Sequence, residues 1–338
     1  MAEFPSRPVA QLVGSNGPIH ALTYSSPPST YILTGSSDRS IRLYNPSSYT
    51  PSPSPSSPLP QGKLIQTYTS HAYEVLSLSI SSTNDKFASS GGDRTLFLWD
   101  VQTSSTSPLR RFHSHSGRIN TVIFSGQDDS LLISGGIDCS VRIWDIRSSN
   151  SQKAIQVLSE AKDAITSLVS TGHEIMTGSV DGRIRTYDLR MGRCITDVMP
   201  GPVTSLTLSR DEKTILVSTL DSKIRLMDRK DGRMLKGYED REFRNEELRV
   251  RSLIDGKGER WVLSGDENEG RVWVWGLMTG EVVKRLDVPE GTGGGKKVVV
   301  GKDGRIEKKR KNVISCLAWG GEEFCVAGSE GVVTVFGQ

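Results

Sequence analysis

A chain of 338 residues would ordinarily suggest two or three domains, unless a single unit repeats along it. Apolar residues make up 35%, and the 34 glycines raise this to the usual globular level while favouring short strands and tight turns over long helices. A net charge of +3 argues against an obligate nucleic-acid binder. The N-terminus carries no apolar leader-like region and no stretch approaches ~18 apolar residues, so a soluble intracellular protein is expected.

The first predicted element is an isolated strand, Pro8-Val-Ala-Gln-Leu-Val13. An alternating strand follows, Ile19-His-Ala-Leu-Thr-Tyr24, and then the first copy of a pattern that continues to the end of the chain. It consists of small residues, an acidic turn and an alternating strand closed by an aromatic, often with Asp after it. The first copy is Thr34-Gly-Ser-Ser-Asp38-Arg-Ser-Ile-Arg-Leu-Tyr44. A Ser/Pro tract over 46–60 comes next, expected to be disordered; it is either a passive spacer or a set of phosphorylatable Ser-Pro and Thr-Pro sites. Val75-Leu-Ser-Leu-Ser-Ile80 then leads into Ser90-Gly-Gly-Asp93-Arg-Thr-Leu-Phe-Leu-Trp99-Asp100. In the same way Ile119-Asn-Thr-Val-Ile-Phe124 leads into Ser134-Gly-Gly-Ile-Asp138-Cys-Ser-Val-Arg-Ile-Trp144-Asp145. The fourth copy is Thr177-Gly-Ser-Val-Asp181-Gly-Arg-Ile-Arg-Thr-Tyr187-Asp188. After Val203-Thr-Ser-Leu-Thr-Leu208 comes the fifth, Ser218-Thr-Leu-Asp221-Ser-Lys-Ile-Arg-Leu-Met227-Asp228. Two degenerate copies complete the series, Glu269-Gly-Arg-Val-Trp-Val-Trp275 and Gly328-Ser-Glu330-Gly-Val-Val-Thr-Val-Phe336. They are separated by a Gly/Lys tract over 289–312. Within that tract, residues 296–311 hold eight Lys/Arg against two acids, which leaves the remainder of the chain at −3.

Spacings between the turn acids are 55, 45, 43, 40, 48 and 61, and the two long intervals are those carrying the tracts. A period of ~40–45 residues with four short strands per unit is that of a β-propeller blade. These seven copies resemble the WD-repeat family over nearly the whole length. The resemblance implies an all-β, seven-bladed WD-repeat propeller filling residues 1–338 as one domain, with 46–60 and 289–312 as loop insertions. A propeller must join its first and last blades or expose sheet edges. The N-terminal strand is therefore expected to complete the last blade, for which the C-terminal segment supplies three strands. Ala72-Tyr-Glu-Val-Leu76, Gly91-Gly-Asp-Arg94, Gly178-Ser-Val-Asp-Gly-Arg-Ile-Arg185 and Tyr187-Asp-Leu-Arg-Met-Gly192 resemble, more narrowly, the mitogen-activated protein kinase organizer subfamily. That resemblance implies a scaffold for kinase-cascade components that also associates with the spliceosome. It is weaker in the last two blades, where the insertion lies and Asp is missing from the turn.

His71, Ser89, Asp93 and Trp99, and equally His115, Ser134, Asp138 and Trp144, match the structural tetrad of WD repeats. A Ser-His-Asp set also invites a hydrolase reading. Its recurrence in two blades favours a buried hydrogen-bond chain ending on the indole N–H. Gly291-Thr-Gly-Gly-Gly-Lys-Lys297 lacks the first Gly and the Ser/Thr of a phosphate loop and reads as a linker. No catalytic, cofactor or metal set emerges, so no enzyme activity, cofactor or small-molecule substrate is expected. Cys139, Cys194, Cys316 and Cys325 show no metal-ligand spacing and are read as buried thiols of a reducing compartment.

Lys308, Lys309, Arg310 and Lys311 form a compact basic run readable as a nuclear-import signal, an RNA-backbone contact or a solvated insertion. Residues just after the His positions and just before the turn Asp share one face of the ring; Tyr73, Arg118, Ile137 and Lys162 are the candidates for protein binding there. Trp144-Asp-Ile-Arg147 and Tyr187-Asp-Leu-Arg190 resemble the tandem Asp-x-Arg boxes of propellers that dock on cullin ubiquitin-ligase adaptors, although ordinary repeat drift also gives Asp after the aromatic. The expectation is a non-catalytic scaffold, cytoplasmic and nuclear and monomeric within larger complexes, that binds kinase-cascade components or splicing factors. The alternative is a ubiquitin-ligase substrate receptor.

Overall fold

A computed structural model of the chain describes residues 4–50, 59–102, 107–148, 153–256, 258–289 and 312–338. Seven blades of four antiparallel strands form a ring. Five are separate sheets; the first and last are continuous in one eight-stranded sheet, joined where Gln11 pairs in parallel with Gln61. The only helical segment among the described residues is one 3-10 turn, Gln127–Asp129. Innermost strands such as Ile19–Tyr24, Val75–Ile80, Ile119–Ser125 and Val203–Leu208 carry β-branched or apolar residues at alternate positions, as expected from the sequence.

The core is divided among the seven junctions between blades, with one buried apolar cluster at each. The residue that closes each repeat, an aromatic in all but the fifth, where it is Met227, has a consistent destination, the interface with the preceding blade. Trp99 of the second blade packs with Tyr68 and Leu43 of the first, and Trp144 of the third packs with Phe112 and Leu98 of the second. Each repeat is thus half of two interfaces and cannot bury its apolar surface alone. The Gly of the Ser/Thr-Gly segment is needed at these junctions. A Cβ on Gly135 would lie 2.6 Å from Ile165 Cγ2 of the next blade, and Gly35 meets Val75 and Gly178 meets Val203 at the same distance.

Polar stitches run beside this apolar packing. Ser77 Oγ accepts the Val122 N–H (3.2 Å) and Ser79 Oγ the Phe124 N–H (3.1 Å) of the next blade. Ser167 Oγ accepts the Leu206 N–H (3.0 Å), and Asn120 Nδ2 donates to the Ile165 carbonyl (2.8 Å). Inner strands of adjacent blades are too splayed to share a backbone ladder, so hydroxyls and amides bridge them and satisfy the buried backbone groups. The inner strands of blades one to five and seven carry a register irregularity at the same place, immediately after Ile19, Val75, Ile119, Ile165, Val203 and Ile314. A bulge there re-aims one side chain per blade.

The N-terminal strand Arg7–Leu12 pairs antiparallel with Val333–Gly337 and so supplies the outer strand of the last blade. Phe4, ahead of it, is buried among Trp261, Trp319 and Phe324. The Ser/Pro tract differs in part from expectation. Its first residues continue the strand Ile41–Thr50, with Tyr49 opposite Gly62 and Thr50 opposite Gln61; residues 51–58 lie outside the described part. The long outer partner Gln61–Tyr68 supplies the edge that draws the tract into the sheet. The thiols need a second correction. Cys316 and Cys325 are buried, Cys139 is half-buried and Cys194 is exposed, because Cys194 sits on the outermost strand Arg193–Val198, nearly all of whose residues are exposed.

Candidate functional site

In the second and third blades the Asp, His, Ser and Trp are brought together. Asp93 Oδ2 lies 2.7 Å from His71 Nδ1, His71 Nε2 lies 2.7 Å from Ser89 Oγ, and Trp99 Nε1 donates to Ser89 Oγ at 2.8 Å. The third blade repeats this with Asp138, His115, Ser134 and Trp144 at 2.8–3.0 Å. A carboxylate only accepts, so Nδ1 carries the proton, Nε2 accepts from the serine, and the serine accepts from the indole. Ser89 and Ser134 are fully buried, so neither Oγ can meet a substrate. Burial opposes ionisation of Asp138, but His115, the Ser140 hydroxyl and the Ser116 N–H outweigh it and hold the carboxyl well below the usual range.

Blades that lack the histidine use the same turn acid differently. Asp38 pairs with Arg42 at 2.7 Å and Asp181 with Arg185 at 2.6 Å, and Asp221 pairs with Arg225 in the same i,i+4 relation. The sixth blade departs further, and sequence reasoning missed how. Its turn acid is Asp266, which accepts the Trp273 N–H at 3.1 Å. Beside it, the buried Glu267 carboxylate accepts N–H groups of Glu246, Glu247 and Leu248. Ser264-Gly-Asp266 is the trace of the common motif, displaced from Glu269 by a longer turn.

In every blade a turn N–H between the second and third strands donates to a carbonyl of the loop entering that blade. Examples are Ser37 to Pro18 (2.9 Å), Gly92 to Glu74 (3.0 Å), Ile137 to Arg118 (3.0 Å), Val180 to Ala164 (3.0 Å) and Ser329 to Val313 (3.0 Å). One face of the ring is therefore a set of loops tied in pairs. Tyr73, Arg118, Ile137 and Lys162 are all exposed on it, Tyr73 at 59% and Ile137 at 46%. Arg118 and Ile137 are brought together by their backbone bond, and Tyr73 and Lys162 stand on the flanking blades. Arg147 and Arg190 lie on the opposite face, at the far ends of the third strands. Asp145 accepts both the Arg147 N–H (2.8 Å) and its Nε (3.2 Å), so this arginine is folded onto its own box. Among the described residues, the Asp188 carboxylate accepts only the Arg190 and Met191 backbone N–H groups. Lys308, Lys309, Arg310 and Lys311 lie outside the described residues. No helix among the described residues is long and apolar enough to cross a membrane.

Two family models match parts of the chain. The WD domain, G-beta repeat, matches residues 6–45 and 62–100, and the nucleolar protein 10-like N-terminal domain matches residues 102–254. Human WD repeat domain-containing protein 83 is 36% identical over 289 residues, which is 86% of this chain and 85% of the relative. The rat protein of that description is also 36% identical, covering 85% of this chain and 84% of the relative. An uncharacterized WD repeat-containing protein of Schizosaccharomyces pombe is 38% identical over 260 residues, covering 77% and 80%. With seven four-stranded blades, tetrads in two of them and this likeness over most of both lengths, the chain belongs to the WD-repeat propeller family of the WD repeat domain-containing protein 83 relatives.

Proposed function

We propose that this chain is a non-catalytic scaffold that holds components of mitogen-activated kinase cascades, splicing factors, or both, on its tied loop face. The observation that carries the reading is the exposure of Tyr73, Arg118, Ile137 and Lys162 on a surface whose loops are already fixed by hydrogen bonds. Preorganised loops lose little entropy on binding, and aromatic and Arg side chains make the strongest anchors. A scaffold of this kind acts by effective concentration, with no chemistry of its own. The narrower resemblance of blades one to five supports the kinase and splicing partners. Likeness to a nucleolar-protein domain and the run Lys308–Lys311 support residence in the nucleus as well as the cytoplasm. Direct RNA contact through that run is a lesser part of the reading, and the chain acts as a monomer inside larger complexes.

Proximity labelling in cells tests the reading. Kinase-cascade or splicing proteins should be enriched around the wild type and depleted around a Tyr73→Ala, Ile137→Asp double variant. An unchanged set of labelled proteins would remove the loop face from the account. The ubiquitin-ligase reading rests on Arg190, whose guanidinium has no partner among the described residues, since Arg147 is engaged by Asp145. It fails if adaptor pull-down survives Arg147→Ala with Arg190→Ala.

A further inference from the structure

The central channel is lined by inner-strand residues of all seven blades, among them Ser77, Thr121, Ser167 and Ser205, and by Arg249 and Arg251. Both arginines come from the irregular sixth blade. The loop ahead of them is unusually well built. Phe243 is fully buried edge-on against Trp273 and Trp275, and the Glu267 carboxylate gathers the N–H groups of the three residues immediately before Arg249. A buried carboxylate spent on three successive amides fixes where the next side chain emerges.

Arg249 emerges across the channel. Its Nη1 donates to the Asn120 carbonyl of the third blade at 2.9 Å, and its Nε to the Thr204 carbonyl of the fifth at 3.4 Å. Its partners are carbonyls alone; among the described residues no carboxylate lies within 4.0 Å of Arg249, Arg251 or Arg118. Of five guanidinium donors, three on Arg249 are left without a protein acceptor, and the Arg251 side chain makes no hydrogen bond among the described residues. Burial, and next the charge of Arg251, pull the Arg249 pKa down to about 9, so it stays charged at neutral pH. The nearby His20 imidazole is lowered by burial, with Glu74 opposing and Arg249 and Arg118 adding to the lowering. Half-buried cations with unfilled donors and no carboxylate in ion-pair contact describe an anion site.

We propose that the channel mouth binds a phosphomonoester group, held by Arg249 and Arg251. The surplus of donors from two planar forks matches the three terminal oxygens of a phosphate better than the two of a carboxylate. This site is independent of the scaffold partners named above.

Calorimetric titration of the full chain at constant ionic strength tests it. The probes are inorganic phosphate, inositol hexakisphosphate, and a degenerate phosphoserine peptide library with its unphosphorylated twin. At least one phosphate-bearing probe should bind saturably, and Arg251→Gln should weaken it at least tenfold with the thermal midpoint of the free protein unchanged. A variant with Lys308, Lys309, Arg310 and Lys311 all changed to Ala should bind as the wild type does. Tighter binding of the phosphopeptides than of inositol hexakisphosphate assigns the phosphate to a protein side chain, and the reverse order assigns it to a soluble metabolite. No saturable binding by any probe, binding indifferent to Arg251→Gln, or binding lost only in the four-fold loop variant would each overturn the site.

Discussion

At the scale of single residues, the turn acids carry more of the architecture than the serines they resemble a triad with. Asp138 is ionised against its own burial because His115, Ser140 and Ser116 all offer it protons to accept. Its folded pKa lies below the unfolded value of about 3.9, so the stabilisation is fully present above that value and is lost as pH falls through the folded one. Asp38, Asp181 and Asp221 are shifted the same way: in each, burial works against ionisation, and the bonded arginine is the largest of the contributions that outweigh it. Urea unfolding of the wild type should therefore lose stability steeply below about pH 4. Asp138→Asn should be less stable at pH 7 but show a shallower acid limb. Parallel pH profiles for the two proteins would remove Asp138 from this role.

At the scale of elements, the inner strands and repeat-closing strands were legible because period-2 alternation and the acid-plus-turn signature recur at a constant interval. The latch was legible as an unpartnered strand, since an open ring would leave an edge. Phe4 was not, because a lone Phe between Glu and Pro carries no periodicity, and its pocket is made by Trp261, Trp319 and Phe324, more than 250 positions away. Asp266 and Glu267 were missed because the longer sixth turn moved the acid off the common spacing. The channel arginines were hidden for a related reason: Arg249 meets Asn120 only once the ring has closed. Phe4→Ala should cost about 3–5 kcal/mol, as for other buried aromatics. For a chain of 338 residues that is a fall of roughly 4–7 °C in thermal midpoint. Removing residues 1–13 should lower it further and expose the edge Val333–Gly337 to aggregation. Calorimetry giving equal midpoints for all three proteins would mean that the strand adds nothing to closure.

At the scale of the whole molecule, the position of the chain break around the ring is nearly arbitrary, because each blade is stabilised by both neighbours and the two ends meet. Arg7 is opposite Gly337 in the last blade, so a short linker can join the termini without crossing the fold. Opening the ring elsewhere then costs only what the new break disrupts. The paired strands that end at Thr50 and begin at Gln61 meet on the side away from the tied loops, and a break between Thr50 and Leu59 cuts none of the seven inter-blade clusters and neither tetrad. Within Ile165–Thr171 a break would cut the inner strand that carries Ser167, its bond to Leu206, and Ile165 against Gly135. A permutant opened between Thr50 and Leu59, with its old termini joined, should fold as one cooperative unit with a midpoint within a few degrees of the wild type, whereas one opened inside Ile165–Thr171 should fail to give a sharp transition. If instead the first permutant melts in two steps, the blades adjoining the natural termini are held by the native chain order, and closure through the N-terminal strand is a local clasp rather than a property of the ring.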